Sequence, residues 1–124
     1  MSDELGKKGD TFGKHIRAKR MAKKISLRRF ADLVGVSPTY LSQVEQDNVL
    51  PPTAERVRRM AEILGENVDV LAALAGRMAE DLPTIIQDRP TEMPDLLREA
   101  SGLTPEQLSQ LREQIRRLKE KGGE

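Results

Sequence analysis

The sequence predicts an all-α protein on three observations. Its apolar content is aliphatic: aromatic residues make up 2% of 124, with no Trp, one Tyr and two Phe. Leu, Ile, Val, Ala and Met must therefore fill the core, which favours helices and argues against a β-barrel or sandwich. These aliphatics recur at three- and four-residue spacing along most of the chain, and Ser, Thr, Asn, Gly and Pro punctuate them where helices start and stop.

Residues 1–11 are polar and lack periodicity, so they read as a flexible N-terminal arm. Residues 12–79 read as one domain. Its first helix begins at Phe12, with Phe12, Ile16 and Met21 sharing a face and Ala18 and Ala22 beside them, and closes by Ile25. Ser26 reads as the N-cap of a second helix, Leu27 to Leu33, whose Leu27, Phe30, Ala31 and Val34 are spaced for burial; Gly35 then supplies the left-handed residue that stops it. Ser37-Pro38 reads as an N-cap followed by proline at the first helical position, opening a third helix through about Gln46 with Leu41 and Val44 inward. Pro51-Pro52 marks a loop. Thr53 caps a fourth helix, Ala54 to Leu64, with Val57, Met60, Ala61 and Leu64 on one face and Gly65 at its end. A fifth, Asn67 to Ala79, carries Val70, Leu71, Leu74 and Met78.

Residues 80–124 form a tail of different composition, expected to dimerise or bind a partner. Pro83, Pro90 and Pro94 divide it into short pieces, Leu82, Ile85 and Ile86 cluster, and Asp95 to Ala100 suggests one brief helix. Thr104-Pro105-Glu106-Gln107 has the form of a capping box opening a last helix. There Leu108, Leu111, Ile115 and Leu118 make an apolar seam flanked by Glu113, Arg116, Arg117 and Lys119, before Gly122-Gly123 ends it. So short a seam either packs on its own domain or pairs with a second copy, the two being equally expected; as the dimerising element the tail is preferred to the fifth helix with Val70, Leu71 and Leu74, because the domain is already complete by about residue 79.

The formal net charge of +1 hides an asymmetry. Residues 1–50 hold 10 basic and 6 acidic side chains, residues 51–124 hold 11 and 14. Between Phe12 and Phe30 lie Lys14, Arg17, Lys19, Arg20, Lys23, Lys24, Arg28 and Arg29 with no acid among them, which points to a polyanionic partner. With no Cys and only His15, thiol chemistry and a zinc site are not expected, nor is any other metal or cofactor. No apolar run approaches the roughly 18 residues of a membrane span, and Met1–Asp10 shows no apolar signal core, so a soluble cytoplasmic protein is expected. Carboxylate pairs such as Glu80-Asp81 or Glu62 with Glu66 stand beside no nucleophile and no Gly-rich phosphate loop, and an enzyme is not expected.

Two short helices joined through Gly35-Val36-Ser37 have the grammar of a helix-turn-helix. Such a unit sets the first residues of its second helix into the major groove of double-stranded DNA, where short or polar side chains meet base edges. Thr39, Ser42 and Gln43 suit that role. Gln43 has the donor and acceptor to bond adenine bidentately, and the Thr39 methyl fits against a thymine methyl. Ser37 and Tyr40 are placed to meet phosphate oxygens.

The stretch Ser26 to Glu45, SLRRFADLVGVSPTYLSQVE, resembles the helix-turn-helix of the Cro/C1/Xre family of bacterial and phage regulators, and the resemblance covers about residues 12–75. It rests on Ala31, Gly35, the run Ser37-Pro38-Thr39-Tyr40-Leu41-Ser42, and Glu45. It implies a five-helix lambda-repressor-like domain with a helical extension, acting as a transcriptional regulator, commonly a repressor, that binds an inverted repeat as a homodimer. It also implies an ion pair between Arg20 and Glu45, so that Arg20 is structural and not a DNA contact. Where many members place Gln to bond a phosphate at the start of the second helix, this chain has Leu27, leaving Arg28, Gln46, Asn48, Arg17 and Lys23 as candidate backbone ligands. The overall plan resembles SinR-like regulators and the repressors of mobile elements, some of which are inactivated by an anti-repressor or a protease. An antitoxin or adaptor, whose tail covers a toxin or other protein while the domain regulates its own promoter, is the alternative.

Overall fold

The computed structural model describes residues 10–122. Among them every regular element is a helix: α1 Phe12–Ala22, α2 Leu27–Val34, α3 Pro38–Glu45, α4 Ala54–Leu64, α5 Val68–Leu74, α6 Leu82–Asp88, α7 Glu92–Ala100 and α8 Pro105–Gly122. The chain divides by packing into two units, Met1–Pro83 and Thr84–Glu124. Residues 1–9 of the expected arm and Gly123 lie outside the described residues.

Local chemistry sets the helix boundaries of the first unit. Ser26, Ser37, Thr53 and Asn67 are all N-caps in extended backbone conformation, each accepting the amide three residues on. Each satisfies one of the amides that a helix start leaves without a partner. Thr11 caps α1 in the same way, accepting from the Lys14 amide at 3.2 Å. Gly35 and Gly65 end α2 and α4 at φ +88° and +70°, where a Cβ would be strained.

The buried faces then meet in one aliphatic core with α1 against α3, α2 against α3 and α4, and α4 against α5. Ile16, Phe30, Ala31, Leu41, Met60 and Ala61 lose all solvent contact, and Phe12, Val34, Val44, Val57, Leu64 and Leu71 lose nearly all. Leu27 is only partly buried at its edge.

Two expectations about these elements need correction. Met21 does not share the face of Phe12 and Ile16; it is 56% exposed. A step of five residues carries a side chain about 140° round a helix from Ile16, off the stripe. Arg20, at the four-residue step, takes that place instead. The fifth helix stops at Leu74 rather than Ala79, because Gly76 adopts φ +70° and leaves Met78 outside the helix and exposed. This early stop lets Arg77 turn back and donate to the carbonyls of Pro51 at 2.7 Å and Pro52 at 2.9 Å, tying down the loop before α4.

In residues 80–124 two of the three prolines expected to divide a linker open helices instead, and Pro90 alone falls between helices, as expected. Pro83 and Pro94 sit at the second and third positions of α6 and α7, and Pro105, as expected, at the first of α8, all within the first turn, where a missing N–H costs no intrahelical bond. Residues 82–88 are accordingly helical, and α7 starts at Glu92. The capping box of α8 is reciprocal: the Gln107 amide donates to Thr104 Oγ1 at 3.1 Å and the Thr104 amide to Gln107 Oε1 at 3.0 Å. No residue of α6, α7 or α8 is buried.

Candidate nucleic-acid interface

Helix α3 is held from beneath, at its end and through the loop that follows it. Leu41 and Val44 anchor its inner face in the core, at 0% and 2% exposure. Glu45 at its end is buried and receives a two-pronged bond from Arg20, Nε to Oε2 at 2.8 Å and Nη2 to Oε1 at 3.0 Å. Arg20 Nη1 donates to the Ile25 carbonyl at 2.8 Å, so one guanidinium joins α1, the turn before α2 and the end of α3. The hydrogen bond to Glu45 holds the Arg20 pKa above its ordinary value, against the opposing effect of burial. The Arg20–Glu45 pair implied by the resemblance is thus present in the structure.

The loop after α3 is tied to the start of α1. Asp47 turns through φ +60° and accepts the Thr11 hydroxyl at 2.6 Å and the Gly13 amide at 3.0 Å. This turn brings Asn48 back over α3, its amide on the Gln43 carbonyl at 3.0 Å. The Asn48 side-chain Nδ2 donates to Gln43 Oε1 at 2.9 Å and to Gln46 Oε1 at 3.3 Å, while Gln46 Nε2 donates to Ser42 Oγ at 2.9 Å. Ser42, Gln43, Gln46 and Asn48 therefore form one network on the outer side of the helix, with Thr39 exposed one turn ahead and Ser37 capping the start.

Among the candidate backbone ligands, Arg17 shares a notch of about 200 Å³ with Leu27, Ser42 and Gln46, which sets a cation beside the outer face of α3. Arg28 is exposed on α2. Lys23 reaches instead toward Gly65 at the end of α4. Tyr40 is half-buried against the core with the Arg56 guanidinium 5.9 Å from its ring centre. That neighbour comes from another helix, and no spacing in the sequence announces it.

The run of eight cations is also less uncompensated than its sequence suggests. Arg20 is paired with Glu45, and Lys19 lies 3.7 Å from Glu66. His15, buried at 6% exposure, shares a 2.9 Å hydrogen bond with Glu66 and lies 3.8 Å from Asp10, fastening α1 to the connection between α4 and α5. Among the described residues no three His, Asp or Glu side chains group as metal ligands, and no helix is long and apolar enough to cross a membrane.

Two short helices joined by a capped turn, the second presenting a polar outer face above a buried inner one, define a helix-turn-helix protein. Residues 16–71 match the helix-turn-helix family. Over those residues the chain carries a helix-turn-helix domain of the Cro/C1/Xre type, the type found in DNA-binding transcription regulators. Among solved structures it is similar to the P22 c2 repressor in complex with a synthetic operator, at 31% identity over 49% of this chain and 91% of that one, TM-score 0.46. It is similar to the biofilm regulator SinR in complex with DNA, at 28% identity over 49% and 97%, TM-score 0.46. It is likewise similar to the DNA-binding domain of SinR from Bacillus subtilis, at 28% identity over 48% and 87%, TM-score 0.45. Comparison with curated proteins gave no match.

Proposed function

We propose that the protein is a sequence-specific repressor that binds an inverted-repeat operator as a homodimer, with α3 of each copy in the major groove. The observation that carries this reading is the outer face of α3. Thr39, Ser42 and Gln43 offer hydrogen-bonding groups to solvent from a helix whose other side is fixed by Leu41, Val44 and the Arg20–Glu45 pair. Base-edge readout needs this combination, since a groove-reading side chain discriminates only if its helix cannot shift. Arg17 beside the face, Arg28, the Ser37 cap and Tyr40 supply contacts to the flanking phosphates, which fix register.

Selection from a random DNA pool tests the reading. The full-length protein should recover an inverted repeat, and Gln43→Ala should lose its preference at one position of each half-site while keeping the others. Recovery of no motif by either protein would overturn it.

Dimerisation follows from scale and from α8. One such module buries about 600–1,000 Å² on DNA and reads few bases, so a two-fold pair on two half-sites supplies the rest of the specificity. Leu108, Ile115 and Leu118 are 40%, 37% and 70% exposed and Leu111 is half-buried, so the α8 seam has apolar surface left to cover. Leu118→Glu, a change at an exposed position that leaves the core untouched, is expected to convert a dimer to a monomer in sedimentation equilibrium and to weaken operator binding. A wild-type chain that sediments as a monomer would instead assign the tail to another protein, such as a toxin or an anti-repressor.

A further inference from the structure

We infer that Asn48 sets the base preference of α3, by holding Gln43 and Ser42 as hydrogen-bond donors toward the groove; this rests on the reading of α3 given above. A glutamine in isolation is ambivalent, because its amide offers both a donor and an acceptor and matches adenine through Oε1 on N6 and Nε2 on N7. Gln43 is not in isolation. Its Oε1 is turned back onto Asn48 Nδ2 at 2.9 Å, which leaves the Nε2 end, with its two N–H groups, to face the DNA.

The neighbours share the same polarity. Asn48 Nδ2 lies between two acceptor oxygens, Gln43 Oε1 and Gln46 Oε1, so rotating the Asn48 amide alone would set oxygen against oxygen. Gln46, with its oxygen engaged there, donates through Nε2 to Ser42 Oγ at 2.9 Å. The Ser42 oxygen is thereby used as an acceptor, which leaves its own proton to donate. Asn48 in turn is held by its backbone bond to the Gln43 carbonyl and by the Asp47 turn, which Thr11 and Gly13 fasten to α1. The outer face of α3 thus displays the Gln43 Nε2 protons and the Ser42 hydroxyl proton. In the major groove the base edge that offers two acceptors and no donor is guanine, through N7 and O6. Guanine rather than adenine is therefore expected at the half-site position that Gln43 reads, and Asn48, without touching that base, is the positioning residue that makes the choice.

The experiment is pool selection at low salt with the full-length protein, Gln43→Ala, Asn48→Ala and Asn48→Asp. Low salt offsets the affinity lost to an added negative charge. The Gln43 position is the one whose preference disappears in Gln43→Ala, and it should be guanine in the wild type. Asn48→Ala frees the Gln43 amide to turn and should reduce the preference for guanine there about tenfold, with the other positions unchanged. Asn48→Asp replaces the donor by an acceptor, draws Gln43 Nε2 inward and turns Oε1 outward. The selected base should then become one that shows an amino group, adenine or cytosine. A purely structural role for Asn48 would lower affinity at every position without changing the base at this one. Adenine at the Gln43 position in the wild type, or guanine retained by both Asn48 variants, would overturn the inference while leaving the base-reading role of α3 intact. If Gln43→Ala alters no position, the base-reading role itself falls, and this inference with it.

Discussion

Arg20→Ala is expected to destabilise the first unit by about 3–5 kcal/mol, the cost of breaking a buried ion pair from one side. The carboxylate of Glu45 is 5% exposed and receives both of its short bonds from that guanidinium, so the variant leaves a buried charge without a partner. The Ile25 carbonyl loses its donor as well. Set against a total stability of about 5–15 kcal/mol for a small domain, this is a large fraction, and the melting temperature should fall by roughly 15–30 °C. Circular dichroism on the purified variant measures it. Arg20→Met combined with Glu45→Leu removes both charges and should recover much of the loss, because apolar side chains of similar volume replace a buried pair at little net cost. A variant Arg20→Ala that melts with the wild type would show that the pair contributes nothing, and Arg20 would then have to be reconsidered as a DNA ligand.

The second large effect is expected at Gly13, in the first turn of α1. A Cβ there would lie 2.4 Å from the Val44 carbonyl oxygen, 2.7 Å from that of Glu45 and 2.6 Å from Asp47 Oδ1. Two of these atoms are backbone at the end of α3, which has no side-chain freedom with which to yield. Gly13→Ala should therefore cost about 3 kcal/mol, the upper part of the range for overpacking, despite the ~1 kcal/mol that alanine ordinarily gains over glycine in a helix. The 3.0 Å bond from the Gly13 amide to Asp47 is strained by the same displacement. Because Asp47 places Asn48, the variant should also lose affinity for the operator under conditions where it remains folded. A gel-shift titration below its melting temperature reads that effect. Wild-type stability would mean that α1 and α3 separate at no cost, contrary to the packing described.

Most of the first unit was legible in the sequence because its decisive interactions are local. A serine that caps the amide three residues ahead, a glycine that stops a helix in the left-handed region, and leucines three or four apart are short-range devices; so α2 and α4 and the turn at Gly35 follow from Ser26, Ser37, Thr53, Gly35 and Gly65. The Arg20–Glu45 pair was visible only through family resemblance, because 25 residues separate its members. The end of α5 was missed although Gly76 stood in plain sight, since apolar spacing continued past it to Met78. Pro83 and Pro94 read as breaks in the sequence because proline ends a helix interior and equally suits a first turn, and position alone separates the two cases.

The sequence by itself determined that this is a helix-turn-helix chain with a polar face on its third helix and an apolar seam on its last. Only the tertiary structure decided how the polar face is wired. Asp47 reaches Gly13 across 34 residues and His15 reaches Glu66 across 51. Arg56 comes to Tyr40 from a different helix. The contact of Asn48 with Gln43 spans only five residues, yet it depends on a left-handed turn at Asp47 that the distant start of α1 secures. Helix type is fixed by bonds within one turn and is written locally. The direction in which an amide points is fixed by whichever partners the folded chain brings to it, and that is decided only when the core has closed.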